Sequence, residues 1–300
     1  MPSAAGFRHP ATRPANVPQT TLREVLFASD LSNECAISLS HARLLAERFS
    51  AHLSLYHVLQ APPAAATRNA AEELWRRHQA AAQRQLSAQA EGVSVTWDAL
   101  VERSPAAAPA LLARLRRSQP DVVVMTTRRR TSLAHLVVGS VTETVLEHGD
   151  RPLLCVREPD HGVALPYRRV LVPTDLTEAS RRAFPLAALL ARAFGAQVIA
   201  LHVVSYPRAA ALADVARLID ATMPEERDLR SFLEPDFADL RVTTLVEGGE
   251  PGEGILRAAR LHRPDAVVMA TRRRDSLMDR ILGTHAERVL RDSPCPVLVV

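Results

Sequence analysis

The amino-acid sequence predicts an α/β protein with two tandem Rossmann-like domains, each a doubly wound, five-stranded parallel sheet. The first observation behind this prediction is a repeat, because residues 121–146 and 265–290 align without gaps and share fourteen of 26 residues. The second is the alternation of short apolar runs with amphipathic segments in both halves, which is typical of buried parallel strands and their crossover helices. Right-handed crossovers place helices on both faces of such a sheet.

The repeat extends through both halves and sets the predicted domain boundaries. The segment "EVLFASDLSNEC" (24–35) matches "RVLVPTDLTEAS" (169–180), and "RPLLCV" (151–156) matches "CPVLVV" (295–300). A polar stretch with Pro and Gly separates the halves, as expected of a linker. We therefore predict a disordered Pro-rich tail at 1–20, a first domain at 21–157, a linker at 158–167 and a second domain at 168–300.

The first half shows the predicted order of elements. Its apolar runs predict strands at 24–29, 52–59, 93–101, 121–126 and 152–156. The segments between them predict helices at 33–49, 70–90, 106–118 and 140–148. Ser32 and its counterpart Thr177 are predicted N-caps, because a hydroxyl oxygen can accept a hydrogen bond from the first turn of a helix. Apolar edge strands need covering, so we expect the two closing strands to pair and form an intramolecular pseudo-dimer.

Composition narrows the class of protein. All 37 basic residues are Arg and the net charge is +4, which alone is weak support for nucleic-acid binding. Aromatic residues make up only 4% of the chain, so base stacking is poorly supported. The three cysteines are far apart and fit no metal-site spacing. No apolar run approaches the roughly 20 residues of a membrane span, and the N-terminus lacks the apolar core of a signal peptide. We expect a cytoplasmic protein without a metal site.

Two polar features follow strands on the same edge of each predicted sheet. Asp30 and Asp175 come directly after the first strand of their halves. Arginine runs follow the fourth strand in each half, at Arg128, Arg129 and Arg130 and at Arg272, Arg273 and Arg274. Ligands of open α/β sheets bind beyond the carboxyl ends of the strands, so we expect each aspartate to lie near the arginines of its own half.

These features together make the chain resemble the universal stress protein family in its tandem two-domain form. The resemblance rests on the strand ends "ASDLS" and "PTDLT", the strand ends "YHVL" and "LHVV", the loop that leads to "GS" or "GT", and the closing "RPLLCV" or "CPVLVV". It implies a nucleotide-binding loop of pattern G-x2-G-x9-G-[ST] after the fourth strand. The final pair survives here as Gly139-Ser140 and Gly283-Thr284.

The first two glycines of that pattern are absent from both halves. They are replaced by Thr126 and Arg129 in the first half and by Ala270 and Arg273 in the second. Two interpretations stay open at this point. Either the guanidinium groups substitute for the lost backbone donors and bind phosphate or another anion, or they fill the cleft and pair with local acids. The aspartates have a similar alternative, since Asp commonly forms the turn at a strand end.

The resemblance also implies roles for strand residues. Val58 and Val203 match the family position whose backbone meets adenine, and Met125 and Met269 end the fourth strand as core residues or as a ligand wall. The candidate binding residues of the second half are Asp175, Val203, Met269, Ala270, Arg272, Arg273, Arg274, Gly283 and Thr284. Those of the first half are Asp30, Val58, Met125, Thr126, Arg128, Arg129, Arg130, Gly139 and Ser140.

The expected function is that of a non-enzymatic stress-response protein that binds an anionic or phosphate ligand through the arginine loops. No catalytic motif occurs in the sequence. The alternative is an ATP-binding protein with weak ATPase activity, whose better site is in the second half, because "VEGGEPGEGIL" (246–256) offers glycine flexibility near the site. Homodimer formation and a protein partner are further alternatives.

Overall fold

The computed structural model describes residues 21–60, 68–127, 139–157, 165–205, 215–273, 280–281 and 283–300. The first half contains β1 (Glu24–Ala28), α1 (Cys35–Phe49), β2 (His52–Leu59), α2 (Arg68–Ala88), β3 (Trp97–Arg103), α3 (Ala107–Ser118), β4 (Val122–Thr126), α4 (Ser140–His148) and β5 (Leu153–Val156). The second half contains β6 (Arg169–Thr174), α5 (Glu178–Arg181), α6 (Phe184–Phe194), β7 (Gln197–Val204), α7 (Val215–Phe237), β8 (Val242–Gly248), α8 (Pro251–His262), β9 (Ala266–Met269), β10 (Arg272–Arg273), β11 (Arg280–Ile281), α9 (Thr284–Asp292) and β12 (Val297–Val299).

The strands of the two halves form one ten-stranded sheet in the order β3-β2-β1-β4-β5-β12-β9-β6-β7-β8. Pairing within each half is parallel, as in β1 with β2 and β6 with β7. The single antiparallel pair of this sheet joins β5 to β12, with Leu154 opposite Leu298. The predicted α/β class is confirmed, and the two five-stranded sheets are continuous through the predicted pairing of the closing strands.

Both faces of the sheet are buried, which explains why the central strands are apolar without interruption. In β1, Val25 and Phe27 belong to one hydrophobic cluster, while Leu26 between them belongs to the other. The alternation continues across the junction, where Leu154 and Leu298 face the first cluster. Each cluster therefore runs through both halves of the molecule, as expected of a parallel sheet with helices on both sides.

Some boundaries differ from the predictions. The strand predicted at 93–101 is β3, and it begins at Trp97 because pairing with β2 starts with Leu53 opposite Trp97. Ser32 was the wrong N-cap, since Glu34 takes that position with helical dihedral angles and the chain already turns at residues 32–35. Thr177 is confirmed as an N-cap, because its hydroxyl accepts the amide of Ser180 at 3.3 Å.

Within the described ranges, none of the helices combines the length and the apolar character that crossing a membrane requires.

A buried polar pair holds the end of the linker to the first half. The Tyr167 hydroxyl lies 2.8 Å from Nδ1 of His41 in α1, and both side chains are almost fully buried. The Tyr167 ring also packs edge-on against Phe194 of α6, with centroids 5.2 Å apart. At the equivalent places of the repeat stand the buried residues Leu22 and Leu186. The end of the linker thus meets α1 through a polar pair, whereas the equivalent positions of the repeat hold two apolar side chains.

We predict that this pair makes stability depend on pH. Burial lowers the pKa of His41 from about 6.5 to about 4. Between these values the unfolded chain binds more protons than the folded chain, so the free energy of unfolding falls as the pH falls from 6.5 towards 4. The loss should reach about 3 kcal/mol. Urea unfolding at a series of pH values measures it.

The matched control is the double variant His41→Leu/Tyr167→Phe, which resembles the other half. We expect this variant to lose the additional slope between pH 6.5 and 4. An unchanged slope would show that other groups cause it.

Candidate functional site

Each half carries a cleft at the carboxyl edge of its strands. The cleft of the first half, about 510 Å³, lies where β1, β2 and β4 end. The cleft of the second half, about 320 Å³, lies where β6, β7 and β9 end. Both volumes are within the range of small-molecule sites, and both clefts are at the position where open α/β sheets bind ligands.

The structure brings together six of the predicted site residues in each cleft. The first cleft is lined by Asp30, Val58, Met125, Thr126, Gly139 and Ser140. The second is lined by Asp175, Val203, Met269, Ala270, Gly283 and Thr284. Arg128, Arg129, Arg130 and Arg274 lie outside the described residues. Arg272 and Arg273 form β10, which pairs antiparallel with β11. Ligand binding by all of these residues stays a prediction.

The aspartate of each half forms a tight turn at the floor of its cleft. In the second half, the Thr174 hydroxyl accepts the amide of Leu176 at 3.1 Å, and Asp175 Oδ1 accepts the amide of Thr177 at 3.2 Å. In the first half, Asp30 Oδ1 accepts the amide of Ser32 at 2.9 Å in the same way. The turn-forming role considered for these aspartates is therefore present in both halves.

The residue after each aspartate has an unusual backbone. Leu31 has φ 61° and Leu176 has φ 60°, in the left-handed region that a branched side chain adopts at a cost. Both side chains are partly buried against the core, which holds the conformation. Strain of this kind is concentrated at functional sites, and here it occurs at the same place beside both clefts.

A helix N-terminus forms the opposite side of each cleft. Helix α4 follows Gly139 and helix α9 follows Gly283, and within the described residues neither has a side-chain cap. The first-turn amides are therefore available to an anion, which the helix dipole also favours. Gly139 has φ 97°, so glycine is required there, whereas Gly283 has an ordinary φ of −61°.

A buried hydroxyl lies on the wall of the second cleft. Thr271 lines this cleft with only 3% of its surface exposed. Among the described residues, its Oγ1 has no hydrogen-bond partner. Its counterpart Thr127 donates to the carbonyl of Val156 at 3.4 Å. The second half thus leaves a polar atom unsatisfied where the first half does not.

Comparison with known proteins shows the relationship directly. The model of the universal stress protein family matches residues 21–157 and 166–300. The chain belongs to the universal stress protein family. A universal stress protein of Methanocaldococcus jannaschii (MJ0531) is 30% identical over 139 residues, covering 45% of this chain and 82% of that protein.

Solved structures show the same architecture over nearly the whole chain. A universal stress protein from Archaeoglobus fulgidus DSM 4304 has a TM-score of 0.67 at 18% identity, covering 92% of this chain and 97% of that one. The protein PA1789 from Pseudomonas aeruginosa PAO1, described as functionally unknown, has a TM-score of 0.68 at 15% identity, with coverage of 94% and 93%. At these identities the likeness concerns the fold alone. The predicted tandem universal stress fold is confirmed.

The first cleft of this universal stress protein is lined by the Cys35 thiol, which the sequence did not indicate. The Cys35 thiol donates to Asp30 Oδ1 at 3.0 Å and receives a weak hydrogen bond from Thr126 Oγ1 at 3.4 Å. Thr126 Oγ1 also donates to Ser38 at 2.7 Å. The side chain at the first missing glycine is therefore tied to the cleft floor. Comparing the halves would have indicated Cys35, because a small polar residue, Ser180, stands at its equivalent position.

The rim of the second cleft carries an ionic bridge that the sequence also did not indicate. The Glu250 carboxylate contacts His285 Nδ1 and accepts from Arg288 Nη1 at 2.9 Å. Burial acts to raise the pKa of Glu250. Hydrogen bonds from the amides of Gly252 and Glu253, together with His285, outweigh burial and hold this pKa below its ordinary value. Only His285 of the bridge residues lines the cleft.

The glycines of α8 contribute close packing, which differs from the flexibility expected of them. A Cβ at Gly254 would lie 2.8 Å from Cγ2 of Val203, so glycine lets α8 approach β7 directly. A Cβ at Gly252 would meet the flexible Arg288 side chain at 3.2 Å. The packing of Gly254 could not be read from the sequence, because the contact comes from Val203 in β7, which is distant along the chain.

We predict that Gly254→Ala lowers the free energy of unfolding by about 1–3 kcal/mol, because the methyl group collides with the stiff Val203 side chain. Urea denaturation measures this loss. Gly252→Ala is the matched control in the same helix, and it should change stability less. Adding Val203→Ala to Gly254→Ala should recover part of the loss. A gain of about 1 kcal/mol, as helix propensity alone predicts, would contradict the packing argument.

Proposed function

We propose that this universal stress protein is a non-enzymatic, cytoplasmic stress-response protein that binds a phosphate-bearing small molecule in the cleft of its second half. The observation that carries the proposal is the buried, unpartnered hydroxyl of Thr271, a residue that lines the same cleft as the N-terminus of α9. A buried hydroxyl without a partner costs about 1–3 kcal/mol. An acceptor oxygen of a bound ligand would satisfy it.

The remaining lining residues support a nucleotide-like ligand. Val203, Ile255 and Met269 form an apolar wall suited to a flat ring. The amides at Gly283 and Thr284 are suited to a phosphate group. The Asp175 carboxylate at the strand end is suited to the hydroxyl groups of a sugar. An apolar wall, a pair of backbone amides that can bind an anion (the anion seat) and a carboxylate that can accept hydrogen bonds from a sugar thus occur in one cleft.

The arginine run of the second half keeps its predicted role in this proposal. Guanidinium groups form short, charge-assisted hydrogen bonds to phosphate and match its geometry. Arg272, Arg273 and Arg274 follow β9, whose end lines the cleft. Their contribution is tested by replacing all three with Gln and comparing the result with the same replacement of Arg128, Arg129 and Arg130.

We predict opposite stability effects for two matched substitutions. Thr271→Val should leave the free energy of unfolding unchanged or raise it by up to about 1 kcal/mol, because it removes an unpaired polar atom. Thr127→Val should lower it by about 1 kcal/mol, because it removes the hydrogen bond to Val156. Thr271→Val should also weaken ligand binding about fivefold. Equal destabilisation by both variants would show that Thr271 is satisfied in solution.

ATP is the alternative ligand within this class, and calorimetry distinguishes the cases. We predict measurable heats for inorganic phosphate and for AMP without added metal. If ATP with Mg²⁺ is the ligand, its binding should be saturable and should be lost in Asp175→Ala. Asp30→Ala, the same change in the first half, is the control. An absence of heat with all three compounds up to millimolar concentration would refute the proposal.

A further inference from the structure

The ionic bridge at the rim of the second cleft concentrates four donors on one carboxylate. Glu250 accepts the amides of Gly252 and Glu253, at 2.9 and 2.8 Å, and so caps α8. The same carboxylate contacts His285 Nδ1 and Arg288 Nη1, which belong to α9. Glu250 therefore links the N-termini of two helices, at a place where the helix dipoles favour negative charge.

The bridge holds groups that an anion in the cleft could otherwise use. His285 follows Thr284 directly and lines the cleft. The second guanidinium nitrogen of Arg288, Nη2, is paired with Glu253 at 2.9 Å. Asp175 also lines the cleft, so three carboxylates, those of Asp175, Glu250 and Glu253, accompany Arg288 and His285 in this region. Glu250 is the only carboxylate among these described groups with a contact to His285.

The first half shows that the fold does not need this bridge. At an offset of 144 residues, the equivalents of Glu250, Glu253, His285 and Arg288 are Ala106, Pro109, Val141 and Thr144. None of these side chains is ionisable. Helices α3 and α4 nevertheless begin and end at the positions that correspond to the ends of α8 and α9. The bridge is thus an addition specific to the second half, and it reaches the second cleft through His285.

We propose that Glu250 is an internal competitor for the anion seat of the second cleft. This inference rests on the proposed function. The carboxylate keeps His285 engaged and opposes a second negative charge at the end of α9. A ligand phosphate must offset that repulsion and compete for the imidazole. Glu250 therefore lowers the affinity of the cleft for anions. Ligand binding, in turn, weakens the link that Glu250 makes between α8 and α9.

Calorimetry with inorganic phosphate and with ATP on the full chain tests the proposal. Glu250→Gln keeps the side-chain length and one acceptor oxygen, so that one of the two hydrogen bonds from the α8 amides can persist, but it removes the charge. We expect it to tighten phosphate binding about tenfold, as for one released charge-assisted hydrogen bond. Glu253→Gln is the matched control, because it removes an equal charge and also contacts Arg288 but does not touch His285. We expect it to change affinity less than about twofold.

The double variant Glu250→Gln/His285→Val should lose the gain. Equal tightening by Glu250→Gln and Glu253→Gln would overturn the proposal in favour of general repulsion. Weaker binding in Glu250→Gln would show that the carboxylate supports the ligand. If the wild-type protein binds phosphate and Glu250→Gln brings no gain, only this inference fails. If no variant binds, the proposed function fails with it.

A second measurement is independent of whether Glu250→Gln folds. In the wild-type protein, the imidazole resonances of His285, assigned with His285→Val, should move when phosphate is added. Other histidines remote from the cleft, such as the buried His41, should not move. Resonances of His285 that stay unchanged while calorimetry shows phosphate binding would overturn the competition.

Discussion

The antiparallel pairing of β5 with β12 is the contact on which the rest of the molecule depends. It closes one apolar edge of each half and makes the two hydrophobic clusters continuous. Because the pairing is antiparallel, the strands of the two halves run in opposite directions and their carboxyl ends lie at opposite edges of the sheet. The two clefts therefore lie at opposite edges of the sheet. The second half also reaches the first near the arginine run, since β11 lies beside α4.

The duplication serves as an internal control, because both halves solve the same folding problem with different residues. What they share is the frame of each cleft: the aspartate turn, the left-handed Leu31 and Leu176, and a helix that begins after a glycine. What they do not share distinguishes the clefts. The first cleft has its floor tied together through Cys35 and Thr126, whereas the second has an unsatisfied Thr271 and the Glu250 bridge.

Periodicity and the repeat were sufficient to predict the sheet, the order of helices and strands, the pairing of the closing strands and the edge that carries the clefts. These features depend on patterns that are local in sequence or repeated along it. The contacts within the clefts could not be predicted in this way. Glu250 meets His285 because α8 and α9 are neighbours in space, and Gly254 meets Val203 because a helix lies on a strand. Ser32 was wrong as an N-cap because one extra turn precedes α1, which a residue preference cannot show.

At the threonine that follows the fourth strand, the second half leaves a buried hydroxyl unsatisfied where the first half does not, and this difference is the argument for proposing the second cleft as the binding site. A threonine follows the fourth strand in both halves. Because buried polar groups are normally hydrogen-bonded, a partner is expected for each of the two hydroxyls. Thr127 has one in the Val156 carbonyl, while Thr271 has none among the described residues. Replacing Thr271 by Val would remove that cost with little change in shape. A side chain that is costly in the unliganded protein is explained when the partner it lacks is the ligand.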